Sequence, residues 1–222
     1  MPFNLLSKRL AFGNTTVGKL IGFIIDILII IVVAVGASML VKTFVMKSFY
    51  IPTESMTPTL EINDNVLVSR LYPNFMPIQR GDIIVFKDTQ NWMNLPPTNT
   101  EPDALETISN FVMLSEPADN KFLIKRIVGM PGDVVTCCDV NGKITINDKA
   151  IKEPYLPSGV NPSELDFSVT VPKGKVWVMG DNRDNSSDSR YHQDVNGGFI
   201  NQEDIVGKAF YRLFPFERMS GL

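Results

Sequence analysis

Ser55 stands in the loop-like stretch FYIPTESMTPTL, residues 49–60, directly after a long apolar run. A serine hydroxyl attacks a carbonyl only when a neighbouring base takes its proton. Without one, a serine among prolines and threonines is a turn residue. The single histidine, His192, has no supporting motif and reads as a surface or turn residue; the G-x-S-x-G elbow of common serine hydrolases is absent. The remaining base types are lysine and carboxylate. Lys125 lies in FLIKRIV, where an apolar strand could bury the amine, lower its pKa and supply a neutral base. A snorkelling lysine on an edge strand has the same spacing. A third polar stretch, GDNRDNSSDSR at 180–190, is equally compatible with a site or with a solvated, turn-rich loop.

Composition narrows the chemistry. The chain has 222 residues, 44% hydrophobic and 20% charged, enough for a sizeable core. Its net charge of -3, with no concentrated basic run, gives no footprint for nucleic acid. One histidine and one adjacent cysteine pair, Cys137 and Cys138, cannot assemble a metal site of ordinary spacing, so neither metal nor cofactor is expected. The cysteine pair reads either as a vicinal disulfide or as two small buried thiols.

Elements must bring these residues together. Residues 20–41 are apolar except for Asp26, and at 1.5 Å per residue span roughly 33 Å as a helix, enough to cross a bilayer. No small-residue cleavage site follows, and no polar face suits a buried core helix. A transmembrane anchor is therefore expected, with residues 1–19 a cytoplasmic tail and 42–222 an extracytoplasmic domain. Lys8, Arg9 and Lys19 before the span, against Lys42 and Lys47 after it, set that orientation by a slight margin.

Beyond Phe49 the pattern becomes short β-branched runs: VLVSRL (66–71), DIIVFK (82–87), FLIKRIVG (122–129), DVVTCC (133–138), KITIN (143–147) and KVWVMG (175–180). Turn residues such as Arg80-Gly81-Asp82, Pro131-Gly132-Asp133 and Asn141-Gly142 separate them, so a mainly antiparallel β domain is expected. Residues 88–121 read as an insertion whose Leu105, Ile108, Phe111 and Val112 fit an amphipathic helix. Covering a sheet edge is its simplest role, with capping the site, or membrane contact through Trp92, Met93 and Leu95, as alternatives.

In order, IPTESMTPTL, RGDIIVFK, IKRIVGMPGD and GDNRDNSSDSR after an apolar helix resemble the motif series of bacterial type I signal peptidases, across residues 49–190. The resemblance implies an antiparallel β-sheet catalytic domain with a small second β region, here a cap at about 134–175, and a serine/lysine dyad. Ser55 would be the nucleophile and Lys125 its general base. Thr53 and the Ser55 N–H would form the oxyanion hole, and Ser186 would orient the lysine. Phe49, Ile51, Pro52, Met56 and Ile124 would line shallow pockets for small side chains, as Ala-X-Ala-like cleavage sites require. Arg126, Asp181, Asp188 and Arg190 would brace the corner by ion pairs. The implied partners are exported preproteins and the lipid bilayer, with the enzyme a monomer.

Two other readings fit less of the chain. A self-cleaving repressor of related fold would lack the anchor and carry a DNA-binding domain, for which there is no room. An inactive membrane-tethered binding module is disfavoured by Ser55, Lys125 and Ser186 all standing in their motifs.

Overall fold

The computed structural model describes residues 16–94, 115–116 and 122–222. The chain divides into two compact units, one ending at Phe44 and the other running Val45–Leu222.

In the first unit, helix α1 (Thr16–Phe44) extends past both ends of the 20–41 apolar run. Its Thr16–Met39 portion is long and apolar enough to cross a membrane. Leu20, Phe23, Ile24 and the Ile29–Val33 side chains are exposed, with nothing among the described residues burying them.

The second unit is mainly antiparallel β-structure. Its larger sheet contains β1 (Met46–Tyr50), β2 (Asn65–Ser69), β3 (Ile83–Lys87), β4 (Ser115–Glu116), β5 (Phe122–Gly129), β10 (Lys175–Met179), β11 (Ile200–Asn201) and β12 (Ile205–Phe214), in the order β11-β10-β5-β3-β12-β2-β1-β4. A short β13 (Ser220–Gly221) pairs with β12. The smaller sheet takes β6 (Val134–Cys137), β7 (Thr145–Ile146), β8 (Lys149–Ala150) and β9 (Phe167–Thr170), in the order β8-β7-β6-β9.

Alternation along β5 decides where the site lies. Ile124 enters a cluster with Phe49, Ile51, Met56, Leu60 and Val66, while Leu123 and Ile127 enter another with Ile84, Phe86 and Trp92. Lys125 shares the face of Leu123 and Ile127 and pairs with Ile84 in the neighbouring strand, so the sheet carries its amine away from water. A third cluster joins the sheets through Val135, Ile144 and Ile146 on one side and Val128, Trp177 and Met179 on the other. Cys137 belongs to this cluster and is bonded to Cys138 as a vicinal disulfide.

Of the 88–121 segment, only 88–94 and 115–116 are described, so the helix expected around Leu105, Ile108, Phe111 and Val112 lies outside the described residues. Trp92 departs from the membrane-contact alternative. It is buried, edge-on to Phe86 and stacked on His192, because Asp88 accepts hydrogen bonds from the Trp92 and Met93 N–H groups and turns the chain back onto the sheet.

Candidate active site

Ser55 sits in a tight loop after β1. The Thr57 N–H donates to the Glu54 carbonyl at 3.0 Å and the Leu60 N–H to the Met56 carbonyl at 2.9 Å, closing successive turns. Met56 and Leu60 are fully buried beneath the loop, whereas Pro52, Thr53 and Glu54 are exposed and Ser55 is half-buried. Apolar burial beneath a polar tip fixes the backbone while Ser55 itself stays half-buried.

From β5, the Lys125 Nζ lies 2.6 Å from the Ser55 Oγ. Lys125 is 3% exposed. Burial lowers its pKa from 10.5 to about 8; Asp188 and Asp181 oppose the shift, and Arg190 adds to it. At that pKa about a tenth of the amine is neutral at pH 7, and its lone pair can accept the serine proton. The Thr53 Oγ1 is 3.3 Å from the Ser55 Oγ, on the exposed side of the loop.

The 180–190 loop closes the site from the other side. Its Asn182 N–H donates to the Ser55 carbonyl at 3.1 Å, and the Asn182 Nδ2 donates to the Glu54 carbonyl and the Thr57 Oγ1. Thr59 donates to Asp181 at 2.5 Å. Asp181 also takes a two-point contact from Arg126, at 2.8 and 2.6 Å, while Arg126 donates to the Gly81 carbonyl and lies over the Tyr155 ring. Asp188 and Arg190 form a second two-point pair, wholly buried, and Asp188 accepts the Gly180 N–H. Two-point geometry fixes each guanidinium in one orientation.

Phe49, Ile51, Met56 and Ile124 are brought together in one cluster, with Pro52 exposed beside them. Ser186 is buried against Gly180, but its Oγ has no hydrogen-bond partner among the described residues. The bond to Lys125 suggested by the resemblance is not formed in this arrangement.

Several contributors were missing from the residue-by-residue reading. A Cβ on Gly180 would overlap both the Ser186 hydroxyl and the Ser55 carbonyl, so glycine alone allows the two loops to meet. Arg183, 1% exposed, ties the loop to Glu153 at 2.5 Å and donates to the Gly180 and Pro162 carbonyls. Gly180 and Asn182 lie within the polar stretch and were within reach of inspection. The Arg183–Glu153 pairing carries no local signal, because its partners are 30 residues apart.

A hydroxyl, a buried amine and an adjacent hydroxyl donor on an exposed loop define a hydrolase-type constellation. Comparison with known proteins makes the class specific. The family model described as "Signal peptidase, peptidase S26" matches residues 24–214. A probable signal peptidase I of Mycobacterium leprae is 34% identical, covering 87% of this chain and 77% of its own. A signal peptidase I of Leptolyngbya laminosa is 34% identical, covering 86% and 78%, and signal peptidase I U of Bacillus subtilis is 34% identical, covering 78% of each. The chain belongs to the signal peptidase family, peptidase S26, and is a hydrolase of the signal peptidase I type.

Proposed function

We propose that the chain is a membrane-anchored endopeptidase that removes N-terminal signal peptides from exported preproteins by a serine/lysine dyad. The single observation that carries the mechanism is the 2.6 Å approach of a buried Lys125 amine to the Ser55 hydroxyl. Neutral Lys125 takes the Ser55 proton as Oγ attacks the scissile carbonyl; the ammonium then gives that proton to the leaving amine. Water, deprotonated by the same amine, then attacks the acyl carbon; the Oγ–acyl bond breaks, the ammonium returns its proton to the Ser55 Oγ and the acyl chain leaves as the new carboxylate. The Thr53 hydroxyl and the Ser55 N–H stabilise the oxyanion, since both belong to the loop that presents the nucleophile.

Ser186 holds the amine when Ser55 is acylated, a role supported by a buried hydroxyl that has no partner among the described residues. Arg126, Asp181, Asp188 and Arg190 hold the two loops in register without touching substrate. The buried cluster of Phe49, Ile51, Met56 and Ile124, with Pro52 at its exposed edge, backs shallow pockets that favour small residues at the −1 and −3 positions, where exclusion of bulk sets specificity. An extended substrate suits a site flanked by strands.

Helix α1 serves as the anchor, with its N-terminus cytoplasmic and the β domain outside, acting as a monomer. A membrane-held signal peptide and a membrane-held enzyme share one surface, which raises their effective concentration. Incubating the detergent-solubilised protein with a preprotein tests the reading. Cleavage after an Ala-X-Ala-like segment is expected; self-cleavage alone, or retention without cleavage, refutes it.

A further inference from the structure

Outside the dyad, one cluster of aromatic, imidazole and hydroxyl groups has no role in the mechanism above. The His192 ring is stacked on Trp92, with centroids 4.5 Å apart and planes 11° from parallel. Its Nε2 lies 2.7 Å from the hydroxyl of Ser187, the residue between Ser186 and Asp188. Burial lowers the pKa of His192 and Lys125 adds slightly, while Asp194, Asp88 and Asp188 pull the other way. The ring is therefore neutral under ordinary conditions, with one nitrogen to donate and one to accept.

Each end of this chain of contacts is anchored. Trp92 is held by the Asp88 carboxylate, by the edge of Phe86 in β3 and by its own Nε1–H donating to Gln90, whose Nε2 donates to the Phe199 carbonyl. At the other end, Ser187 is flanked by Ser186, packed on Gly180, and by Asp188, which accepts the Gly180 N–H. Gly180 in turn packs against the Ser55 carbonyl. Strand β3 is thereby connected to the nucleophile loop through the Trp92, His192 and Ser187 side chains and then the 180–188 main chain.

We propose that Trp92, His192 and Ser187 form a positioning relay, in which the start of the 88–121 segment clamps the Ser186–Asp188 backbone against the Ser55 loop. The ring supplies a stacked face to one partner and a hydrogen bond to the other. Loss of either contact frees the middle of a three-residue segment whose outer residues abut Gly180. A displacement of a fraction of an ångström there misaligns hydroxyl and amine, and misplacements near 1 Å cost up to about a hundredfold in rate.

The inference rests on the dyad reading, and Ser55→Ala run beside it keeps the two separable: residual activity in that variant overturns the dyad, independently of the relay. With full-length protein in detergent and a preprotein substrate, Ser187→Ala and His192→Phe each lower kcat about tenfold and leave KM within about twofold. The double variant is no slower than either single, because both break one link. His192→Gln, which can return an amide nitrogen to the Nε2 position, recovers most of the loss. Ser187 is exposed, so Ser187→Ala folds and gives a reading even where a His192 variant does not. A kcat within twofold of wild type for Ser187→Ala, losses that multiply in the double variant, or His192→Gln as slow as His192→Phe overturns the relay.

Discussion

Raising the pH from 7 to 9 perturbs the one group on which the proposed chemistry depends. With a Lys125 pKa of about 8, the neutral amine makes up about 9% of the enzyme at pH 7, about half at pH 8 and about 91% at pH 9. The kcat/KM for preprotein cleavage should therefore rise about fivefold over the first unit and less than twofold over the second. An unperturbed lysine at 10.5 would give about tenfold per unit across the whole range and leave only about 0.03% of the base neutral at pH 7. The assay is initial-rate cleavage in one detergent at constant ionic strength. A flat profile, a tenfold-per-unit rise up to pH 10, or a limb that vanishes in His192→Gln would refute Lys125 as the base. Stability follows with a definite sign. Between pH 8 and 10.5 the unfolded chain binds the extra proton, so stability rises with pH through that window, and below pH 8 the buried ammonium costs roughly 3 kcal/mol. Lys125→Met should accordingly be inactive yet unfold several degrees higher at pH 7.

Thr53→Val removes a hydroxyl donor from the nucleophile loop and should slow kcat by about two orders of magnitude with the fold intact by circular dichroism; an unchanged rate leaves the oxyanion to backbone alone. Gly180→Ala forces a methyl group against the Ser55 carbonyl and the Ser186 hydroxyl, and should cost about 1–3 kcal/mol in unfolding free energy together with most of the activity. Asp181→Ala strands Arg126 and Thr59 and should destabilise the domain by about 3–5 kcal/mol in denaturant titration. It also removes a charge that raises the Lys125 pKa, so whatever activity survives should move to lower pH.

Much of the β domain was legible because its strands are short β-branched runs between turn residues. FLIKRIVG matches β5 end to end, and DIIVFK, DVVTCC and KVWVMG differ from β3, β6 and β10 only at their ends. Strands β1 and β12 were not read. MKSFY is too short and polar to separate from the preceding helix, and IVGKAFYRLF is interrupted by Gly207, which the close approach of the Ser69 carbonyl requires. Within the site, residue types and motif order indicate Ser55 and Lys125, but their approach depends on the loop after β1 and on β5 packing into one cluster although three strands of the sheet separate them, which no local pattern encodes. His192 illustrates the limit from the other side: as a lone imidazole in a turn it carried no signal, and only Trp92, 100 residues earlier in the chain, gives it a stacked partner.

The central claim is that the Lys125 amine activates the Ser55 hydroxyl to cut a preprotein. Its most direct test is cleavage of one preprotein by wild type beside Lys125→Ala, with the N-terminus of every product sequenced. Wild type should yield a single new N-terminus, following a small residue, and the variant none. Substantial cleavage at the same bond by Lys125→Ala would contradict it.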